Sequence, residues 1–172
     1  MTDKKRPKVY LAGPDVFRTD AKEHGRRLIQ ACDGWGFEGL YPLDNEVNIT
    51  GAKYEDGRRI AKANRLMIVE CDAVVANLAL FRGPSADVGT VWECAYAYGL
   101  GKFVFGYGCD GVKYRDRVIG SIPHDGMIVE DFSAFDNIII EHALDEWVQL
   151  FDDALRRAAI RLGTFVENSG KH

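Results

Sequence analysis

The sequence predicts a doubly wound α/β fold, a five-stranded parallel sheet with helices on both faces. Three observations carry this. Short apolar runs of β-favouring residues alternate with longer stretches whose apolar residues recur at helical spacing. The short runs read as buried strands, as the strands of a parallel sheet do. Glycine, proline and aspartate fall between the segments, where turns belong.

Lys8–Ala12 (KVYLA) is the first strand and stops at the turn signal Gly13-Pro14. Asp20 opens a helix with Leu28, Ile29, Cys32 and Trp35 at helical spacing, ended by Gly34 and Gly36. Residues 37–41 read as a second strand closed by Pro42, and 44–54 as a loop. Ile60, Asn64, Met67 and Ile68 mark a second helix, broken at Asp72. Residues 73–78 (AVVANL) are the clearest buried strand. A loop at 81–87 leads into a helix over 89–98, ended by Gly99 and Gly101, and 102–106 (KFVFG) is the next strand. Residues 107–125, rich in glycine and charge, read as a surface excursion, and 126–130 as a short fifth strand. Residues 143–162 read as one long amphipathic helix, with Leu144, Trp147, Phe151, Leu155 and Leu162 on its apolar face. Right-handed crossovers would make this a flavodoxin-like or Rossmann-like sheet, with ligands beyond the carboxyl ends of its strands. Chemistry is therefore expected in loops 13–17 and 81–87, and from Gly106 onward.

The 172 residues, 47% hydrophobic and 28% charged, suit one compact domain over 1–172. A net charge of -4 lacks the basic excess of a nucleic-acid or anionic-membrane surface. No apolar run approaches a membrane span, and the polar N-terminus does not read as a signal peptide, so a cytoplasmic protein is expected. Cys32, Cys71, Cys94 and Cys109 form no C-x-x-C pair and histidine is scarce, so no metal site is expected. Isolated cysteines of this kind are most often small buried hydrophobes. The chain has neither a dinucleotide fingerprint nor a Walker phosphate loop.

The segment richest in chemistry is 81–93 (FRGPSADVGTVWE). Asp87 and Glu93 would not share a face of one continuous helix, but that objection disappears if Asp87 lies in the loop before it. Gly89 would let the backbone approach a ligand closely. Glu93, in the first helical turn, would sit near the strand ends. The competing reading has equal weight: Thr90-x-x-Glu93 fits a capping box, with Glu93 reaching back to the Thr90 amide. In Tyr10-Leu-Ala-Gly-Pro-Asp15-Val-Phe17 the local signals favour a plain turn, a capping Asp15 and a core Phe17 over a binding site.

Four motifs in order change that balance: Tyr10-Leu-Ala-Gly-Pro14, Cys71-Asp-Ala-Val-Val-Ala-Asn-Leu78, Asp87-Val-Gly-Thr-Val-Trp-Glu93 and Gly101-Lys-Phe-Val104. Together they resemble the nucleoside 2-deoxyribosyltransferase family, as does Phe37-x-Gly-Leu-Tyr-Pro-Leu-Asp44. The resemblance implies that Glu93 is the nucleophile, that Asp87 holds the sugar at its 5′-hydroxyl and that Tyr10 orients Glu93. It puts Asn64 near the base. It also implies that Asn137, in Phe135-Asp-Asn-Ile138, is contributed to a neighbouring subunit's sugar pocket. Gly13, Asp15, Phe17 and Gly89 complete the expected substrate-binding set.

The implied reaction exchanges the base of a 2′-deoxyribonucleoside through a covalent ester on Glu93, with ping-pong kinetics. It needs no cofactor. Its partners are nucleosides, free nucleobases and further copies of the chain, since a pocket completed by a second subunit would keep water from the ester. Asn64 cannot serve as an acid, which leaves Asp15 as the weaker candidate for protonating the departing base. The nearest alternative is a nucleoside 5′-monophosphate N-glycosidase. Asp87 argues against it by repelling a phosphate, whereas Ser85 nearby is compatible with one. The cytokinin-activating phosphoribohydrolases share only Gly89-Thr90-x-x-Glu93 with this chain. A non-catalytic nucleotide-binding module is the alternative of another class.

Overall fold

The computed structural model describes residues 5–121 and 126–165. Five parallel strands form one sheet: β1 (Lys8–Ala12), β2 (Glu38–Leu40), β3 (Ala73–Asn77), β4 (Phe103–Tyr107) and β5 (Glu146–Trp147), in the order β2-β1-β3-β4-β5. The helices are α1 (Ala21–Gly34), α2 (Lys53–Glu70), α3 (Val88–Gly99), α4 (Tyr114–Ser121), the single turn α5 (Ile138–Glu141) and α6 (Phe151–Leu162).

The twofold period of the strands divides the core. Val9, Leu11, Ala73, Val75 and Phe105 pack with Leu28 and Cys32 of α1 and with Ala154, Leu155, Ala158 and Ala159 of α6. Tyr10, Ala12, Val74, Ala76 and Val104 point the other way, onto Ile68 of α2 and Cys94 and Ala97 of α3. The expected α/β sandwich is present, and Tyr10 lies on the α2–α3 side. Burial holds the thiols of Cys32 and Cys94 up at about 12 and that of Cys71 at about 11, so these three are inert packing groups. Cys109 is free and half-buried.

Two expectations need correction. Residues 126–130 form no strand; the fifth strand is Glu146–Trp147, inside the span read as helix. The long helix accordingly starts at Phe151 rather than at 143. The Asp145 amide donates to the Val104 carbonyl at 2.8 Å, and its carboxylate accepts from the Val104 amide at 2.8 Å. The Val148 amide then donates to Gly106 O at 2.9 Å, so pairing with β4 overrides the helical spacing of Leu144, Trp147 and Phe151. Both Leu144 and Trp147 pack into the α2–α3 side of the core. The described residues of the excursion at 107–125 are half-buried or exposed. The excursion contains α4, and its residues 122–125 lie outside the described residues.

Candidate active site

The chain reverses direction across the sheet between β1 and β3: β2 lies beyond β1, while β4 and β5 lie beyond β3. Such a switch point opens a crevice at the carboxyl ends of the strands. Tyr10 of β1, Asn64 of α2 and Glu93 of α3 come together on the α2–α3 side.

The Tyr10 hydroxyl donates to Glu93 Oε1 at 2.7 Å, and Asn64 Nδ2 donates to the same oxygen at 3.2 Å. Asn64 is oriented by a chain of bonds starting at the backbone. Asn45 Nδ2 donates to the Pro42 carbonyl at 2.8 Å and to Asn64 Oδ1 at 3.0 Å. A carbonyl only accepts, which sets the Asn45 amide and in turn directs the Asn64 amino group at Glu93. Both donors converge on Oε1, so Oε2 has no donor among the described residues.

Burial raises the Glu93 carboxyl above the ordinary glutamate range; the Tyr10 and Asn64 bonds pull it down, and the Asp87 charge pushes it further up. Burial, then the Glu93 charge, raises Tyr10 far above an ordinary phenol, so it stays protonated and donates.

The structure decides between the two readings of Thr90-x-x-Glu93. Asp87 is the N-cap of α3: its Oδ2 accepts from the Thr90 amide at 2.9 Å and the Thr90 hydroxyl at 3.0 Å. With the cap filled by Asp87, Glu93 is free of that duty and stands in the second turn rather than the first. A Cβ at Gly89 would lie 3.1 Å from Asp87 Oδ2, so glycine keeps the cap uncrowded.

The other expected residues lie apart from this trio. Asp15, in the 3-10 turn Pro14–Phe17 after β1, is buried. Its Oδ2 accepts from Asn77 Nδ2 at 2.8 Å and the Tyr107 hydroxyl at 3.3 Å, and His24 Nε2 lies 3.1 Å from its Oδ1. Gly13 sits against this group: a Cβ there would come within 2.8 Å of Asn77 Cβ and 2.9 Å of Asp15 Oδ2. Phe17 is 60% exposed and stacks on Phe81 at 5.5 Å, with the Arg82 guanidinium over both rings. Asn137 caps α5, its side-chain oxygen accepting from the Ile139 amide at 3.0 Å, and does not reach Glu93 within the chain.

Two residues escaped the sequence reading. Asn45 directly follows the motif that ends at Asp44. Asp136 lies beside Asn137 and is wholly buried. It accepts from the Ser85 hydroxyl at 2.6 Å, the Ala86 amide at 3.1 Å and the Asn137 amide at 2.7 Å. Buried polarity is invisible in a short Phe-Asp-Asn run, which reads as a turn. Among the described residues no group of three His, Cys, Asp or Glu side chains is placed to hold a metal ion.

Fold and site thus define an α/β protein with a half-buried carboxylate beside β1, one of its oxygens held by two donors. The chain belongs to the nucleoside 2-deoxyribosyltransferase family, whose pattern matches residues 9–139. A 2-deoxyribosyltransferase from Leishmania mexicana superposes with a TM-score of 0.73 at 30% identity, covering 90% of this chain and 97% of that one. A 2-deoxyribosyltransferase from Bacillus psychrosaccharolyticus shares the fold, with a TM-score of 0.59 at 21% identity over 86% and 90% of the two chains. The uncharacterized protein C191.05c of Schizosaccharomyces pombe is 35% identical over 117 residues, 65% of this chain. The match spans 54% of that protein's length.

Proposed function

We propose that the protein is a nucleoside 2-deoxyribosyltransferase that exchanges the nucleobase of 2′-deoxyribonucleosides through a covalent ester on Glu93. The observation that carries the reading is the one-sided hydrogen bonding of Glu93. Tyr10 and Asn64 both donate to Oε1, and no described residue donates to Oε2.

In this mechanism Oε2 approaches the anomeric carbon as the bond to the base lengthens. Positive charge grows on the sugar, and the half-buried carboxylate stabilises it more strongly than it would in water. Collapse forms the 2-deoxyribosyl ester while the bonding electrons leave with the base. An incoming base attacks the ester from the vacated side, which returns the carboxylate and retains the configuration. Tyr10 and Asn64 keep their bonds to Oε1 throughout and hold the attacking oxygen in line. Asp87 uses Oδ2 for its cap, and Oδ1 remains to accept the sugar 5′-hydroxyl. Asn64 can offer its second amide proton to the departing base but cannot give it up. We further propose a homo-oligomer in which Asn137 completes a neighbouring copy's sugar pocket. Exposed apolar side chains on α3 (Val88, Trp92) and at Met127, Ile128 and Ile139 support association.

The test is incubation with 2′-deoxyinosine, with and without adenine, followed by chromatography. The expected result is 2′-deoxyadenosine only when adenine is present, with Glu93→Ala lowering the rate by at least about a thousandfold. Hypoxanthine release at a rate that ignores adenine would make the protein a hydrolase instead.

A further inference from the structure

The loop that precedes α3 has the ingredients of a phosphate cradle. A serine hydroxyl, successive backbone amides and a helix N-terminus normally converge on an anion. Here the protein's own carboxylates take several such donors. Asp87 takes the Thr90 amide and hydroxyl. The wholly buried Asp136 takes the Ser85 hydroxyl, the Ala86 amide and the Asn137 amide. The hydroxyl proton of Ser85 is committed, at 2.6 Å, to a negative charge. The Arg117 guanidinium braces this arrangement from both sides, donating to the Pro84 carbonyl at 2.7 Å and also to the Phe135 carbonyl.

We propose that Asp136 is a specificity-determining residue. It is a resident anion that occupies the donors of the loop entering Asp87, and so makes the 5′ end of the pocket accept a hydroxyl and reject a phosphate. This rests on the nucleoside-binding reading of Asp87. A phosphate dianion entering the loop would find the Ser85 hydroxyl and the Ala86 amide already taken. It would face two carboxylates, one of them in a buried setting where screening is weak. The same arrangement removes Ser85 as an argument for a nucleotide substrate.

The test is calorimetric binding of 2′-deoxyadenosine and of its 5′-monophosphate to the full chain, in a Glu93→Gln background that prevents turnover. The protein with Asp136 intact should bind the nucleoside at least about tenfold more tightly than the monophosphate. Asp136→Asn replaces two acceptors with one acceptor and one donor, so in either orientation at least one loop donor is released. That change should improve monophosphate affinity about tenfold relative to the nucleoside, and the gain should shrink as salt is raised. Adding Ser85→Ala to Asp136→Asn should remove much of the gain. Ser85→Ala alone, which is informative even if Asp136→Asn does not fold, should leave the ratio of the two affinities unchanged. Equal binding of both compounds with Asp136 intact, or parallel losses in Asp136→Asn, would overturn the proposal. So would loss of monophosphate binding alone in Ser85→Ala. Binding of neither compound would instead sink the nucleoside reading on which the proposal rests.

Discussion

In the proposed mechanism Glu93 must be ionised to attack, yet its surroundings shift it toward the neutral form. Burial raises its carboxyl, and only the bonds from Tyr10 and Asn64 and whatever solvent reaches it work against that. Tyr10 therefore both aims the carboxylate and helps keep it charged. Tyr10→Phe leaves the ring in its place on β1 and removes only the donor. The consequence for pH dependence has a definite sign. Losing an influence that lowers the Glu93 value moves that value up, so the acidic limb of the kcat/KM profile shifts to higher pH. The plateau should also fall by roughly tenfold, the worth of a hydrogen bond to a charged group. A profile of kcat/KM against pH for both proteins checks this. A lower plateau with an unmoved limb would mean that Tyr10 positions the carboxylate without tuning it.

At the scale of elements, the N-terminus of α3 joins a cap to the proposed sugar contact in one side chain. Asp87→Ala removes the cap and should cost about 1 kcal/mol in denaturant unfolding. Asp87→Ser restores a good cap with a side chain too short to hold the sugar. Its stability should stay within about 0.5 kcal/mol of the parent, while kcat/KM falls roughly tenfold or more in both variants. Full activity in Asp87→Ser would reduce Asp87 to a cap. This helix also marks where the sequence was legible and where it was not. Two N-cap signatures overlap there, Thr90-x-x-Glu93 and Asp87-x-x-Thr90, and both are chemically sound, so only the fold could choose. β1, β3, β4 and α1 were readable because their apolar periods are long and bounded by glycine, proline or aspartate. β5 was not, because it has two residues and its apolar spacing runs on into α6. α4 was hidden by the glycines and charges around it. Tyr10 and Glu93 were named from motifs and Asn64 only as a residue near the base, while Asn45 and Asp136 act through hydrogen bonds that no spacing announces.

At the scale of the whole molecule, Asp15 ties the active end of the sheet together. Asn77 closes β3, Tyr107 closes β4, His24 comes from α1, and all three approach a carboxylate carried just past β1. Burial and the Asp15 charge keep the Tyr107 proton in place as a donor. A carboxylate whose Oδ2 accepts from two strand ends, with His24 Nε2 3.1 Å from its Oδ1, is arranged to hold strands in register rather than to hand a proton to a departing base. Asp15→Ala should strand the Asn77 and Tyr107 donors and cost about 2–4 kcal/mol of unfolding free energy. Asp15→Asn keeps one acceptor, and its milder loss should fall equally on good and poor leaving bases, because it acts through the shape of the site. Rates of exchange measured across a series of deoxynucleosides decide the point. Selective slowing of the poor leaving bases in Asp15→Asn would show that Asp15 protonates the base, and would move it from the frame of the sheet into the chemistry.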